Sequence, residues 1–268
     1  MSPFDAATAV TAVGPQQYAW TVPDGWQVGR GAWGGLVVGA LIRAVVATEP
    51  DPNRTVRSVT LQLVAPAMTG RHGIQVDPVR IGSAMSTWSA ALSGDDGSAV
   101  AAMSAILGSA RTSDPDHDHA RWGTATRPVA PAAVDVDPAP TGPPLPVFTQ
   151  HMAMRPVKGL PMSGGPAETV GWVDYAIPGP ATAASLIALV DGWWPASLPL
   201  LSRMPRIATV NFTANLLIDP RSLAEGEPLL FHSFVAAADD GFTSEHRRLW
   251  TTDGRLAVDN LQAIVVGS

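Results

Sequence analysis

Cysteine is absent from the 268 residues, which excludes disulfides, thiolate metal sites and cysteine nucleophiles. Lysine is nearly absent too: Lys158 is the only one, and no run of Lys or Arg occurs. With 17 basic against 23 acidic residues the formal net charge is -6, and such a chain carries no electrostatic footprint for nucleic acid. Only 15% of residues are charged while 46% are hydrophobic, enough to build one large domain or two of ordinary size. The one low-charge stretch that invites a membrane reading, Tyr175 to Ser202, is interrupted by Pro178, Pro180, Asp191, Pro195 and Pro199. It is expected to form a buried helix, because no clean span of about 20 residues exists. Between Met1 and Gly14 no basic segment precedes an apolar run, so no secretory signal is expected and the cytoplasm is the expected location. G-x-S-x-G, P-loop and H-E-x-x-H motifs are also missing.

Proline, by contrast, is concentrated. Pro128, Pro131, Pro138, Pro140, Pro143, Pro144 and Pro146 follow the Asp-rich segment Ser113 to His119. A stretch of this kind cannot donate a regular ladder and predicts an extended connector that buries little. The expected division is therefore a module over 1–112, a connector over 113–147 and a second module over 148–268.

The two halves resemble each other. Arg57-Ser-Val-Thr-Leu-Gln-Leu63 and Arg206-Ile-Ala-Thr-Val-Asn-Phe212 both alternate as strands do, a pairing that matches Thr60 to Thr209. Asp96-Gly97 and Asp253-Gly254 each separate two late strand patterns, and Asp-Gly is a strong hairpin signal. Each half also has an apolar helix pattern ahead of these strands, Leu36 to Val46 and Ala181 to Val190. A helix hydrophobic on every face is a buried one. The order predicts an α+β fold in which curved antiparallel sheet wraps a central helix, twice over.

Among candidate chemistry, Gly29-Arg-Gly31-Ala-Trp-Gly34 matches the dinucleotide pattern G-x-G-x-x-G, with Asp51 about twenty residues beyond Gly31. It follows a turn-like Pro23-Asp-Gly-Trp-Gln27 and not a buried strand, so nicotinamide binding is not expected. The same glycines suit close approach to free N–H groups at a helix start, where negative charge is favoured. His117 and His119, with Asp114, Asp116 and Asp118, have metal-ligand chemistry but sit in what looks like solvated linker. His72, His151, His232 and His246 stand alone and read as surface or strand residues.

Asp191 carries more information. It follows an apolar run ending at Val190 and precedes Gly192-Trp193-Trp194, which places its carboxylate among apolar groups unless it turns to solvent at a helix end. A buried carboxylate costs several kcal/mol without hydrogen-bond partners. Thr209 and Gln262, polar residues on apolar strand patterns, are the candidates, although cross-strand hydrogen bonding or exposure explains either alone.

Taken in order, these features resemble the double-hotdog acyl-CoA thioesterases related to bacterial thioesterase II. The resemblance rests on Trp33-Gly34-Gly35, Asp191, Ala208-Thr209, Asp253-Gly-Arg-Leu-Ala257 and Gln262, and covers most of the chain outside the connector. It implies a tandem hotdog, two antiparallel sheets each wrapped around a central helix and joined side by side. It also implies hydrolysis of a fatty acyl-CoA, with acyl carrier protein an open alternative to CoA. Asp191, Thr209 and Gln262 would polarise the attacking water, with no cofactor, metal or acyl-enzyme. The helix start at Gly34 and Gly35 would hold the oxyanion. An apolar tunnel beside the helix faces and a homodimer or higher homo-oligomer, through the tryptophan-rich segment 191–201, are further expectations.

The chain departs from the family where Thr209 is followed by Val210-Asn211-Phe212-Thr213 in place of Ile-Asp-His-Ser. In the first half no carboxylate matches Asp191 and Ser104 stands for Gln262, so only the second-half site is expected to be complete. Two rivals stay open: an acyl-CoA or lipid-binding protein without turnover, and a hotdog hydratase or dehydratase, which needs a His near its Asp.

Overall fold

The computed structural model describes residues 1–111, 123–142 and 145–267, so the His117/His119 cluster lies outside the described residues. A short helix α1 (Pro3–Ala7) precedes β1 (Val10–Gly14) and β2 (Gln17–Val22). The small ribbon β3 (Gln27–Val28) and β4 (Gly31–Ala32) then leads into α2 (Gly34–Thr48). Strands β5 (Thr55–Leu63), β6 (Gly70–Ile81), β7 (Met85–Gly94) and β8 (Ala99–Gly108) complete the first half. The second half repeats the pattern with β9 (Met152–Lys158), β10 (Glu168–Tyr175), α3 (Ala183–Leu189), β11 (Arg206–Leu216), β12 (Leu229–Asp239), β13 (Phe242–Trp250) and β14 (Leu256–Gly267).

Both apolar runs form their helices for the reason the sequence suggests. Leu36, Val37, Val38, Leu41, Ile42 and Val45 of α2 are buried on every side, and α2 and α3 pack against each other. Thr182 caps α3 by accepting the Ser185 N–H at 3.1 Å. Only 183–189 of the low-charge stretch is α-helical; beyond it Pro195 and Pro199 leave turns and a short 3-10 helix at Leu198–Leu200.

The strands run in the order β1-β2-β6-β7-β8-β5-β11-β14-β13-β12-β10-β9. This corrects one expectation: the halves do not keep two sheets but share a single twelve-stranded antiparallel one. The seam is β5 against β11, where Thr60 faces Thr213 with hydroxyls 3.3 Å apart. An edge strand exposes unpaired backbone groups, and joining the two at this seam satisfies both. The Asp-Gly steps do turn the β7–β8 and β13–β14 hairpins, with Gly97 and Gly254 at positive φ.

The seam also corrects the repeat register. Each seam strand carries a bulge, between Val56 and Ser58 in β5 and between Thr209 and Asn211 in β11. Aligning the bulges makes Thr209 equivalent to Val56, and Gln262, which faces Phe212, equivalent to Ala105, which faces Val59. Thr60 and Ser104 are therefore not the counterparts.

The connector is more than a spacer. Residues 123–142 lie over the outer face of the second half, where Val170, Trp172, Leu230 and Trp250 form a separate small core with Ala130, Ala133 and Val136. Trp172 Nε1 donates to Pro131 O at 2.9 Å, and the Arg127 guanidinium sits 5.4 Å from the Trp172 ring. The prolines give the strap a low-entropy extended course with few N–H groups to satisfy.

Candidate active site

Three elements position the three expected residues. Asp191 lies just beyond α3, Gln262 is on the helix-facing side of β14, and Thr209 is on β11. Regular alternation from buried Phe212 would turn Thr209 outward; the bulge at Val210 flips the strand and brings Thr209 to the helix side. Thr209 Oγ1 donates to Gln262 Oε1 at 3.1 Å, and Gln262 Nε2 donates to Asp191 Oδ1 at 3.0 Å and to Asn260 Oδ1 at 3.1 Å. Both amide hydrogens of Gln262 are thus engaged, so its orientation is fixed. The structure brings Asp191, Thr209 and Gln262 into one hydrogen-bonded chain.

The carboxylate is also at the start of α2. Trp33 occupies the cap position without a side-chain cap bond; its indole Nε1 donates instead to the Asp191 backbone carbonyl at 2.9 Å. The Gly35 N–H faces the carboxylate, which takes the place of a capping side chain. A β-carbon on Gly35 would strike the Trp33 ring at 2.2 Å, so glycine lets the indole fold under the helix. Among the described residues the Gly34 N–H has no acceptor. The expected pair thus divides: Gly35 serves the carboxylate, while the Gly34 N–H is unpaired among the described residues.

Two residues that the sequence reading missed complete the site. Arg247, 2% exposed, donates from Nη1 to Asp191 Oδ1 at 3.1 Å and from Nε to Glu245 Oε1 at 2.7 Å. Glu245 is fully buried and accepts the Ala196 N–H at 2.9 Å. In the run Thr243-Ser-Glu-His-Arg-Arg248 every residue is polar, so period-2 alternation gives no contrast by which to tell the inward pair from the outward one.

Burial pushes the Asp191 carboxyl above its ordinary range, against the opposing pull of Arg247, Gln262 and the Gly35 N–H. Its side chain keeps 11% exposure, so solvent can still reach it. The result is a carboxylate with raised basicity, held at a helix N-terminus beside the Gly34 N–H.

Other expectations fall away. Gly29 and Gly31 belong to the β3–β4 ribbon, an antiparallel pair and not a strand of a parallel crossover. No described histidine joins the network: His151 stacks on Trp26 with ring centres 3.8 Å apart, and His72 packs on Trp20. Trp193 stacks on Phe231 in the core, and the partly buried Trp194 donates to Gly159 O at 2.9 Å. The helix faces expected to line a tunnel are solidly packed. Two shallow clefts lie elsewhere, one beside α1 with Phe4 and Tyr175, the other beside α3 with Asp174 and Glu227. Among the described residues no cluster of His, Asp and Glu could hold a metal ion, and no helix is long and apolar enough to cross a membrane.

Fold and family together define a hotdog-type thioester hydrolase. Residues 22–108 match the acyl-CoA thioesterase N-terminal domain and residues 128–266 the acyl-CoA thioesterase C-terminal domain, so the chain belongs to the acyl-CoA thioesterase family. In structure it is similar to a conserved protein of unknown function with a hotdog fold from Alicyclobacillus acidocaldarius, with a TM-score of 0.91 and 25% identity over 100% of this chain and 99% of that one. It is also similar in fold to an acyl-CoA thioesterase II from Mycobacterium marinum, with a TM-score of 0.77 and 16% identity over 98% and 97% of the two chains. No curated protein matches the chain in sequence.

Proposed function

We propose that this thioesterase hydrolyses a fatty acyl-CoA to free acid and CoA by direct attack of water, with Asp191 as the base. The observation that carries the reading is the Thr209–Gln262–Asp191 chain ending at the start of α2. Gln262 and Arg247 engage Oδ1, and Oδ2, which lies at the helix start beside Gly34, takes the proton of a water. The water oxygen bonds to the thioester carbon while the carbonyl oxygen, becoming an oxyanion, takes the Gly34 N–H. Collapse breaks the C–S bond, and the CoA thiolate leaves with the proton returned from Asp191. No acyl-enzyme is needed.

The lack of any histidine in the described network favours hydrolysis over hydration of an acyl double bond. We read the chain as two fused hotdog modules, over 1–112 and 148–268, that act as one unit because Asp191 from the second meets the helix start of the first. The cytoplasm and a homodimer complete the proposal. Thiol release from acyl-CoAs of short to long chain, by the parent, Asp191→Asn and Gln262→Ala, tests it. Loss of turnover in both variants is expected. Tight acyl-CoA binding with no thiol release by the parent would instead identify a binding protein.

A further inference from the structure

We infer that Arg247, anchored by Glu245, is the positioning residue of this site: it fixes the orientation of the Asp191 carboxylate and favours its charged, proton-accepting form. This rests on Asp191 being the base. The geometry is a relay of three charged groups in a nearly dry interior. One guanidinium bridges two carboxylates, at 3.1 Å to Asp191 and 2.7 Å to Glu245. Glu245 in turn accepts from Ala196 N, so the same carboxylate that aims Arg247 also pins the segment that follows Asp191. A shift of that segment would move base and guanidinium together.

Stability alone does not account for such a pair. Taking ions out of water costs several kcal/mol each, and well-packed apolar residues do the same structural task at least as well. The first half allows a comparison position by position. With Ala105 equivalent to Gln262, the cross-strand partners place Trp88 where Glu245 stands and Ala90 where Arg247 stands. The first half fills these two positions with a buried tryptophan and an alanine. The first half does bury charge, the Glu49–Arg54 pair at 3.4 Å with Trp88 Nε1 donating to Glu49 Oε2 at 2.9 Å, but none of it stands at the positions of Glu245 and Arg247.

No other charged side chain competes for the role among the described residues. Besides Arg247 and, behind it, Glu245 from β13, Asp191 meets the Gln262 amide from β14 and the Gly35 N–H and Trp33 indole from the start of α2. Thr209 from β11 reaches it only through Gln262. Among the described residues Arg247 is the one cation that faces it.

The test is the pH profile of kcat/KM for acyl-CoA hydrolysis by the double variant Glu245→Gln/Arg247→Met, which removes both charges at nearly constant volume and leaves Gln an oxygen for Ala196 N–H. The acid limb is expected to move up by about one pH unit or more, with turnover partly recovered above it. Arg247→Lys, which keeps the charge but cannot bridge both carboxylates, should hold the limb near the parent position while kcat falls roughly tenfold. A double variant with the parental limb, or with a uniform loss at every pH, overturns the inference. If it does not fold, Arg247→Gln gives the same readout through the 13C titration of the Asp191 carboxyl carbon, and an unshifted midpoint counts equally against it. Asp191→Asn in the same assay separates the two levels: activity retained there removes Asp191 as base, whereas an inactive Asp191→Asn beside an unmoved limb removes only the role of Arg247.

Discussion

A β-carbon on Gly34 would come within 2.9 Å of Asp191 Oδ2 and 3.4 Å of Leu63 Cδ1. The helix start of one half and the carboxylate of the other therefore meet through bare backbone. Neither half holds the site alone, which explains why the seam between β5 and β11 matters to chemistry as well as to stability: slippage there would separate Gly34 from Asp191.

Gly34→Ala follows directly. The methyl must displace the carboxylate or the helix start by several tenths of an ångström, while alanine in the first helical turn suits the backbone better than glycine. We expect kcat/KM to fall by about 10- to 100-fold with the melting temperature unchanged or slightly raised. Steady-state kinetics beside calorimetry would show it; parental kinetics would mean that the carboxylate does not act from its observed position.

Asp191→Asn separates stability from turnover. Because folding raises the carboxyl above its ordinary value of 3.8, the native state holds the proton to higher pH than the unfolded chain. Ionisation therefore weakens the fold, fully so above the folded pKa and not at all below the unfolded one. The variant should melt no lower than the parent at pH 8, with the difference gone near pH 4, while kcat drops by roughly 10²- to 10⁴-fold. A lower melting temperature at pH 8 together with retained turnover would make Asp191 a structural anchor.

Much of this arrangement was legible in the sequence, and the gaps have physical causes. Apolar residues on all faces marked α2 and α3, and Asp-Gly marked the hairpins. A lone acidic residue at the end of an apolar run marked Asp191. The bulges were hidden, since Arg57 and Val210 sit inside strands whose alternation looks regular on either side; hence the repeat was aligned on Thr60 instead of Val56. Glu245 and Arg247 were masked by their polar neighbours. Phe212, at one of the positions where the sequence departs from the family pattern, lies opposite Gln262 and is buried in the core. Nothing in a proline-rich composition indicated which surface the connector would cover.

Asp174 predicts a pH dependence of stability unrelated to turnover. Burial beside α3 raises its carboxyl from 3.8 to about 6, and the main-chain Tyr175 N–H offsets this only in part. Since the folded value is the higher one, stability falls as pH rises from about 4 through 6 and stays lower above. Asp174→Asn should stabilise by on the order of 1 kcal/mol at pH 8, allowing for solvent screening at this partly exposed site, and by nothing at pH 4. Chemical denaturation at the two pH values measures this. Destabilisation at both would show that the carboxylate makes a contact the amide cannot.

The strap over the outer face supplies the last prediction. Trp172 joins Leu230 and Trp250 beneath residues 123–142 and donates to Pro131 O, while its neighbours Gly171 and Val173 point to the other face, where α3 and Trp193 lie. Trp172→Ala empties this small core and should cost about 3–5 kcal/mol, whereas Trp172→Phe loses mainly the hydrogen bond and should cost about 1 kcal/mol. Because the sheet lies between the strap and Asp191, both variants should keep kcat/KM within about twofold of the parent below their melting temperatures. Urea unfolding gives the two stabilities, and faster proteolysis within 123–142 should accompany the alanine variant alone. Turnover lost in step with strap release, before any global unfolding, would mean instead that the connector holds the second half of the sheet in its catalytic shape.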